Sequence, residues 1–137
     1  MLKKTITYTD YDGVERTEDF YFNFTKAELM EWQLVTNGGL TSYVQKIVDA
    51  KDQPRLITLF KELLLKAYGV KSDDGRRFIK SEKISEEFSQ NPAYSILYME
   101  LVTDDKVAAD FVNGIIPAEL SEQVAAQNSR QSMALLS

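Results

Sequence analysis

The segment from Gln53 to Tyr68 constrains the fold of this chain more than any other stretch. A helix that is apolar over well over half of its circumference must be buried against several neighbours at once. We therefore predict a central core helix here, with Gly69 as its C-terminal cap. The apolar residues that recur at helical spacing are Leu56, Ile57, Leu59, Phe60, Leu63, Leu64, Ala67 and Tyr68.

Two alternating segments near the N terminus predict a β-hairpin. They run from Lys3 to Thr9 and from Val14 to Phe24, and the residues from Asp10 to Gly13 between them are typical of a turn. A calcium loop is an alternative for that turn, but its Gly falls two positions early and the twelfth position from Asp10 is not Glu. A layer of helices must cover the aromatic face of the hairpin, which consists of Phe20, Phe22 and Phe24.

A capping box formed by Thr25 and Glu28 predicts a helix that ends near Asn37. Leu29 and Trp32 project from the side opposite its other apolar residues, so the helix is apolar on two faces. One interpretation places this helix between the hairpin and the other helices. The alternative makes Trp32 an exposed anchor for a partner chain, because interfaces favour such residues.

Further amphipathic segments complete the helical part of the chain. They predict a surface helix at 40–51, three short helices after the central one, and a weak helix at 118–126. Each short helix is expected to carry one apolar stripe, and Asn113-Gly114 is expected to end the last of them. The three short helices are predicted to begin at Ser81, at Asn91 and at Thr103 or Asp104.

These elements predict an α+β fold, with an N-terminal β-hairpin packed on a mainly helical bundle of about six short helices. We expect a single domain at 1–126, made of the hairpin at 1–24 and helices at 25–126, followed by a disordered tail at 127–137. Apolar runs are too short to cross a membrane, and strand-like alternation stands where a signal peptide would need an apolar stretch. The protein is therefore expected to stay in the compartment where it is made.

The loop from Val70 to Lys80 has an unusual charge distribution, and a small second hairpin is one possibility for it. Its cations predict a local cationic patch for an anion or an acidic partner, whereas the alternative pairs the arginines with Asp73, Asp74 or Glu82. The clustered cations are Lys71, Arg76, Arg77, Lys80 and Lys83. Across the whole chain, our candidate partner-binding residues are Leu29, Trp32, Arg76, Arg77 and Phe78.

The chain contains neither Cys nor His, which closes most enzyme mechanisms and the usual zinc, haem and iron–sulfur sites. Paired carboxylates at 73–74, 86–87 and 104–105 are adjacent in sequence, so they point apart and form no acid/base couple. We predict no catalytic, cofactor-binding or metal-binding residues and no enzymatic activity. A net charge of −5 argues against nucleic-acid binding.

Three segments carry a resemblance to a known family: AYGVKSDDGRRFIKS at 67–81, EEFSQNPAYSILYMEL at 86–101 and DDKVAADFVNGIIP at 104–117. Their pattern of turns and apolar positions resembles the tail assembly chaperones of long-tailed bacteriophages. The likeness extends from the hairpin to Pro117 and leaves the last twenty residues unmatched.

The resemblance implies a protein that binds and solubilises the tape measure protein in the cytoplasm of the infected bacterial host and is absent from the mature virion. It also implies the major tail protein as a further candidate partner, and self-association. Two alternatives to this function stay open. One is a structural virion component such as a small head-tail joining or tail-completion protein, and the other is a host regulatory or inhibitor domain.

Overall fold

The N-terminal hairpin forms as the alternating pattern predicts. The structure, a computed structural model, describes residues 1–31, 46 and 49–117. Strands β1 (Leu2–Thr9) and β2 (Glu15–Phe22) pair antiparallel along their full length, with Leu2 opposite Phe22. Gly13 in the turn has φ +82°, a left-handed conformation that glycine adopts without steric cost.

A second, shorter hairpin extends this sheet. Strand β3 (Tyr68–Lys71) pairs with β2, and strand β4 (Phe78–Ile79) pairs with β3. The result is a four-stranded antiparallel sheet with the order β1-β2-β3-β4. The second hairpin was one possibility in the sequence, and its addition to the edge of the first is visible only in the structure.

Five helices lie in the described part of the chain, against the predicted number of about six. They begin at capping residues that the sequence identifies, including Ser81, Asn91 and Asp104, each of which accepts a hydrogen bond from a backbone N–H of the first turn. The predicted helix at 118–126, the tail at 127–137 and most of the helix at 40–51 lie outside the described residues. The five helices are α1 (Lys26–Glu31), α2 (Gln53–Ala67), α3 (Glu82–Ser89), α4 (Pro92–Thr103) and α5 (Asp105–Ile115).

The core lies between the inner face of the sheet and the helices, so the fold is α+β as predicted. Phe22, which is 0% exposed, packs edge-on against Phe111 of α5 and Phe88 of α3, with ring centroids 5.4 and 5.7 Å away. Tyr68 stacks on Phe88 at 4.2 Å. The predicted aromatic face of the hairpin is therefore confirmed as the centre of the core: Phe20, Phe22 and Phe24 are all buried.

Two predicted glycine caps are wrong. Helix α2 passes directly into the extended backbone of Tyr68, and a Cβ added at Gly69 would lie 2.7 Å from Cε2 of Phe78. Helix α5 continues through Gly114 to Ile115, and a Cβ at Gly114 would lie 2.9 Å from Cδ1 of Leu2. At both glycines another side chain packs directly on the backbone, and Gly69 also lies close to the Ile79 carbonyl oxygen, which a cap prediction does not consider.

The segment that follows β2 joins the two layers. Asn23 N–H donates to the carbonyl of Ala67 at 2.9 Å, and Phe24 N–H donates to the carbonyl of Ile115 at 2.8 Å. Nζ of Lys80 lies 2.7 Å from the carbonyl oxygen of Asn23. The ends of α2 and α5 are thereby fixed to the sheet.

Candidate partner-binding surfaces

Helix α4 has apolar residues on its exposed side as well as on its buried side. Its sequence, PAYSILYMELVT, has a single charged residue in twelve positions. Ala93, Leu97 and Leu101 face the core, whereas Ile96 and Met99 on the other side are 38% and 53% exposed. The exposed side of a helix in a soluble protein normally carries charged residues. We call the exposed side of α4, formed by Ser95, Ile96, Met99 and Thr103 and bordered by the exposed Glu100, the helical surface.

Aromatic side chains hold one edge of α4 against α2. The hydroxyl of Tyr98 donates to the carbonyl of Ile57 at 3.3 Å, and the rings of Tyr94 and Tyr98 stack with centroids 5.9 Å apart. The Ile57 side chain beside this contact is 46% exposed. The apolar residues of the helical surface are therefore presented on a helix whose orientation is fixed by packing, which lowers the entropic cost of binding.

The outer face of the sheet has a different character, because its polar residues pair with one another. Thr5 Oγ1 donates to Asp19 at 2.6 Å, and the hydroxyls of Thr7 and Thr17 lie 2.9 Å apart. These contacts join residues directly opposite each other on β1 and β2, as cross-strand pairs do. This part of the sheet satisfies its own hydrogen bonds.

Cations gather at the other end of the same outer face. Lys3 and Gly69 lie opposite Tyr21 in the strand register, which places them on one face with Lys71 two residues further along β3. Nζ of Lys71 lies 4.2 Å from the centre of the Tyr21 ring, a cation–π contact. Phe78 packs its ring over Gly69 on this face.

The turn between β3 and β4 is held by its own polar groups. Ser72 N–H donates to the Arg77 carbonyl at 2.9 Å, and Asp74 Oδ1 accepts from the Ser72 hydroxyl at 2.6 Å and from Arg76 N–H at 3.0 Å. The hydrogen bond from Ser72 is the main cause that lowers the pKa of Asp74. Gly75 adopts φ +72° at the tip. The Asp74 carboxylate therefore stabilises the turn itself.

The arginine side chains of this turn remain without an internal counter-ion. Arg76 and Arg77 are exposed, and across residues 1–31, 46 and 49–117 neither guanidinium forms an ion pair or a hydrogen bond. The alternative in which these arginines pair with Asp73, Asp74 or Glu82 is therefore wrong. We call the exposed cations of β3 and of the turn that follows it, Lys71, Arg76 and Arg77, the cationic surface.

The five candidate residues do not form one site. Leu29 is 2% exposed and packs in the core, so its side chain is not accessible on the surface; the exposed apolar residue of α1 is Met30, at 68%. Trp32 lies outside the described residues. Arg76 and Arg77 are exposed on the β3–β4 turn, and Phe78 is half-buried beside them.

Sequence reasoning missed the helical surface. The apolar stripe predicted for α4 packs on the core, but Ile96 and Met99 lie outside that stripe and are exposed. The low charge of the segment 92–103 was the feature that distinguished it from its neighbours.

Titratable groups inside the fold are occupied by structural contacts. The hydroxyl of Tyr8 donates to the Glu18 carboxylate, and this hydrogen bond raises the pKa of Tyr8. Burial lowers the pKa of Lys80, whose Nζ lies 2.6 Å from Oε2 of Glu28.

No group of three or more metal-ligating side chains occurs in the described part of the chain. None of the helices in that part is both long enough and apolar enough to span a bilayer.

In the part of the chain that the structure describes, a small α+β fold presents an apolar helix side and a group of exposed cations. A family model described as phage tail assembly chaperone matches residues 1–135. The chain therefore belongs to the phage tail assembly chaperone family, and the match extends beyond Pro117, where the resemblance in the sequence ended. Searches of curated proteins and of solved structures found no match.

Proposed function

We propose that this protein binds the tape measure protein during phage tail assembly and keeps it soluble, without catalysis. The observation that carries the proposal is the helical surface, an exposed helix side on which Ile96 and Met99 are accessible, in a protein of the tail assembly chaperone family. The work is done in the cytoplasm of the infected host, and the protein leaves before the virion is complete.

The helical surface has the chemistry that such binding requires. Ile96 and Met99 offer apolar area, and the unbranched side chain of Met99 adapts to partner surfaces of different shape. A partner helix with an apolar stripe would cover these residues by laying that stripe along α4. The net charge of −5 keeps the protein soluble while this apolar area is exposed.

Co-expression with the tape measure protein of the same phage tests the proposal. We expect a soluble complex that copurifies, and we expect Met99→Glu to weaken it at least about tenfold because the substitution places a charge in the centre of the apolar contact. Ala109→Glu, which adds the same charge to an exposed position of α5, is the matched control. A tape measure protein that stays aggregated, or equal weakening by both variants, would overturn the proposal.

The composition of purified virions separates a chaperone from a structural component. A chaperone is absent from the particles, whereas a head-tail joining or tail-completion protein is present in stoichiometric amount. Quantitative mass spectrometry of particles therefore gives a second, independent test, and stoichiometric incorporation would contradict the proposed role.

A further inference from the structure

The cationic surface stands out because the rest of the molecule is acidic. The segment 68–81 contains four cations (Lys71, Arg76, Arg77 and Lys80) and two acids (Asp73 and Asp74), a balance of 4 − 2 = +2, whereas the whole chain has a net charge of −5. The remaining 123 residues therefore have a net charge of −7. The segment 68–81 therefore has a net charge of opposite sign to that of the rest of the chain.

Internal contacts leave three of these cations available. Lys80 is committed to Glu28 and Asn23, and Asp74 is committed to the turn. Lys71 lies on the Tyr21 ring, a contact that leaves its ammonium hydrogens free to donate. Arg76 and Arg77 have no ion pair within the described residues. Asp73 is the nearest carboxylate in sequence that the turn does not use, and it does not pair with either arginine.

The turn presents the two guanidinium groups on a fixed backbone. Gly75 N–H donates to the Ser72 carbonyl at 2.9 Å and Arg77 N–H donates to the Ser72 hydroxyl at 3.0 Å, so both ends of the turn are closed by hydrogen bonds. A planar guanidinium donates two parallel hydrogen bonds to a carboxylate, which gives such pairs geometric specificity. Little backbone entropy is lost when a carboxylate binds here.

We propose that the cationic surface binds an acidic segment of a partner protein, with carboxylates paired to Arg76, Arg77 and Lys71. This second binding surface goes beyond the proposed chaperone function and does not depend on the helical surface. It differs from the helical surface in chemistry, because charge rather than apolar area selects the ligand.

Charge and geometry favour an acidic polypeptide over a nucleic acid. Lys71 covers one face of the Tyr21 ring, and Phe78 packs against Gly69, so each ring already uses one face in a contact within the protein and has less area on which bases could stack. A nucleic acid also carries a charge at every phosphate, and its length would bring it against the acidic remainder of the molecule. A short acidic segment needs only the local contacts.

Fluorescence anisotropy of a labelled octaglutamate peptide, titrated with the full chain at low ionic strength, tests this inference. We expect binding that weakens with added salt, and we expect Arg76→Glu/Arg77→Glu to weaken it at least about fivefold. Arg55→Glu/Lys106→Glu is the matched control, because it changes the net charge by the same amount at exposed positions of α2 and α5. The control should retain most of the affinity.

Three outcomes would overturn the inference: an octaglutamate peptide that does not bind, equal weakening by the two charge-reversed variants, or tighter binding of labelled octathymidylate through the same arginines. Circular dichroism checks that each variant is folded, and the milder Arg76→Gln/Arg77→Gln should still weaken binding. Met99→Glu should leave octaglutamate binding unchanged, so a failure of the helical surface is distinguishable from a failure of this one.

Discussion

In both hairpin turns an aspartate side chain accepts hydrogen bonds from the turn, but the two turns differ in whether their arginines form an ion pair. In the first turn, Asp10 Oδ1 accepts from the N–H groups of Asp12 and Val14, and Oδ2 lies 2.6 Å from Nε of Arg16. In the second, Asp74 accepts from Ser72 and from the backbone of Arg76, and neither arginine side chain forms an ion pair with the residues that the structure describes. One turn neutralises its own cation and the other presents its cations to solvent.

This difference agrees with different roles for the two hairpins: the first supports the core, and the second presents side chains for binding. The first hairpin has eight-residue strands, and its inner face supplies the aromatic centre of the core. The second has strands of four and two residues, and it is anchored by a ring packed on glycine and by Lys80. A short hairpin at the edge of a sheet contributes less to stability, so its side chains are freer to serve a partner.

The largest expected loss of stability comes from a substitution at the buried centre of the first hairpin. Phe22→Ala removes a fully buried ring that contacts Tyr68, Phe88 and Phe111, and we expect the free energy of unfolding to fall by about 3–5 kcal/mol. Urea denaturation measures it. Tyr11→Ala, in the exposed turn of the same hairpin, should change stability by less than about 0.5 kcal/mol. Similar losses for the two variants would contradict the assignment of Phe22 to the core.

A smaller loss of stability is expected from a substitution at Gly69, where the Phe78 ring of the second hairpin packs on the backbone. Gly69→Ala forces a Cβ to within 2.7 Å of the Phe78 ring and 3.0 Å of the Ile79 carbonyl oxygen, and we expect a loss of about 1–3 kcal/mol. Combining it with Phe78→Leu should recover part of this loss, since a smaller side chain relieves the ring contact but not the backbone contact. Additive losses in the double variant, measured against Phe78→Leu alone, would show that the ring does not cause the strain.

The smallest expected effect is the pH dependence of stability that the carboxylates of the two turns, Asp10 and Asp74, cause. The hydrogen bond from Arg16 lowers the pKa of Asp10, as the one from Ser72 lowers that of Asp74. Because the folded-state pKa lies below the unfolded value near 4, the stabilisation is present above about pH 4 and is lost as the pH falls through the folded pKa.

Thermal unfolding between neutral and acidic pH measures this dependence. Asp10→Asn should flatten the acid limb of the stability profile, and Asp10→Asn/Asp74→Asn should flatten it further. An unchanged acid limb in the double variant would show that neither turn carboxylate contributes to it.

Much of the local structure was predictable because its causes lie within a few residues of one another. The alternation of β1 and β2 and the helix caps at Ser81, Asn91 and Asp104 depend on neighbouring side chains and backbone groups, and all were confirmed. Of the candidate site, the sequence identified the exposed arginines of the second turn. It did not identify the helical surface, because which apolar residues of α4 are buried depends on the elements packed against the helix.

What the sequence determined by itself was the class of the fold, its turns and its central aromatic face, since periodicity and hydrogen-bond chemistry act along the chain. Only the tertiary structure decided that the second hairpin joins the first, that Gly69 and Gly114 are contacted by Phe78 and Leu2, and that Leu29 faces inward. It also decided that the arginines of the second turn have no internal partner within the described residues. These outcomes depend on contacts between residues far apart in sequence, and no local pattern encodes the distance between them.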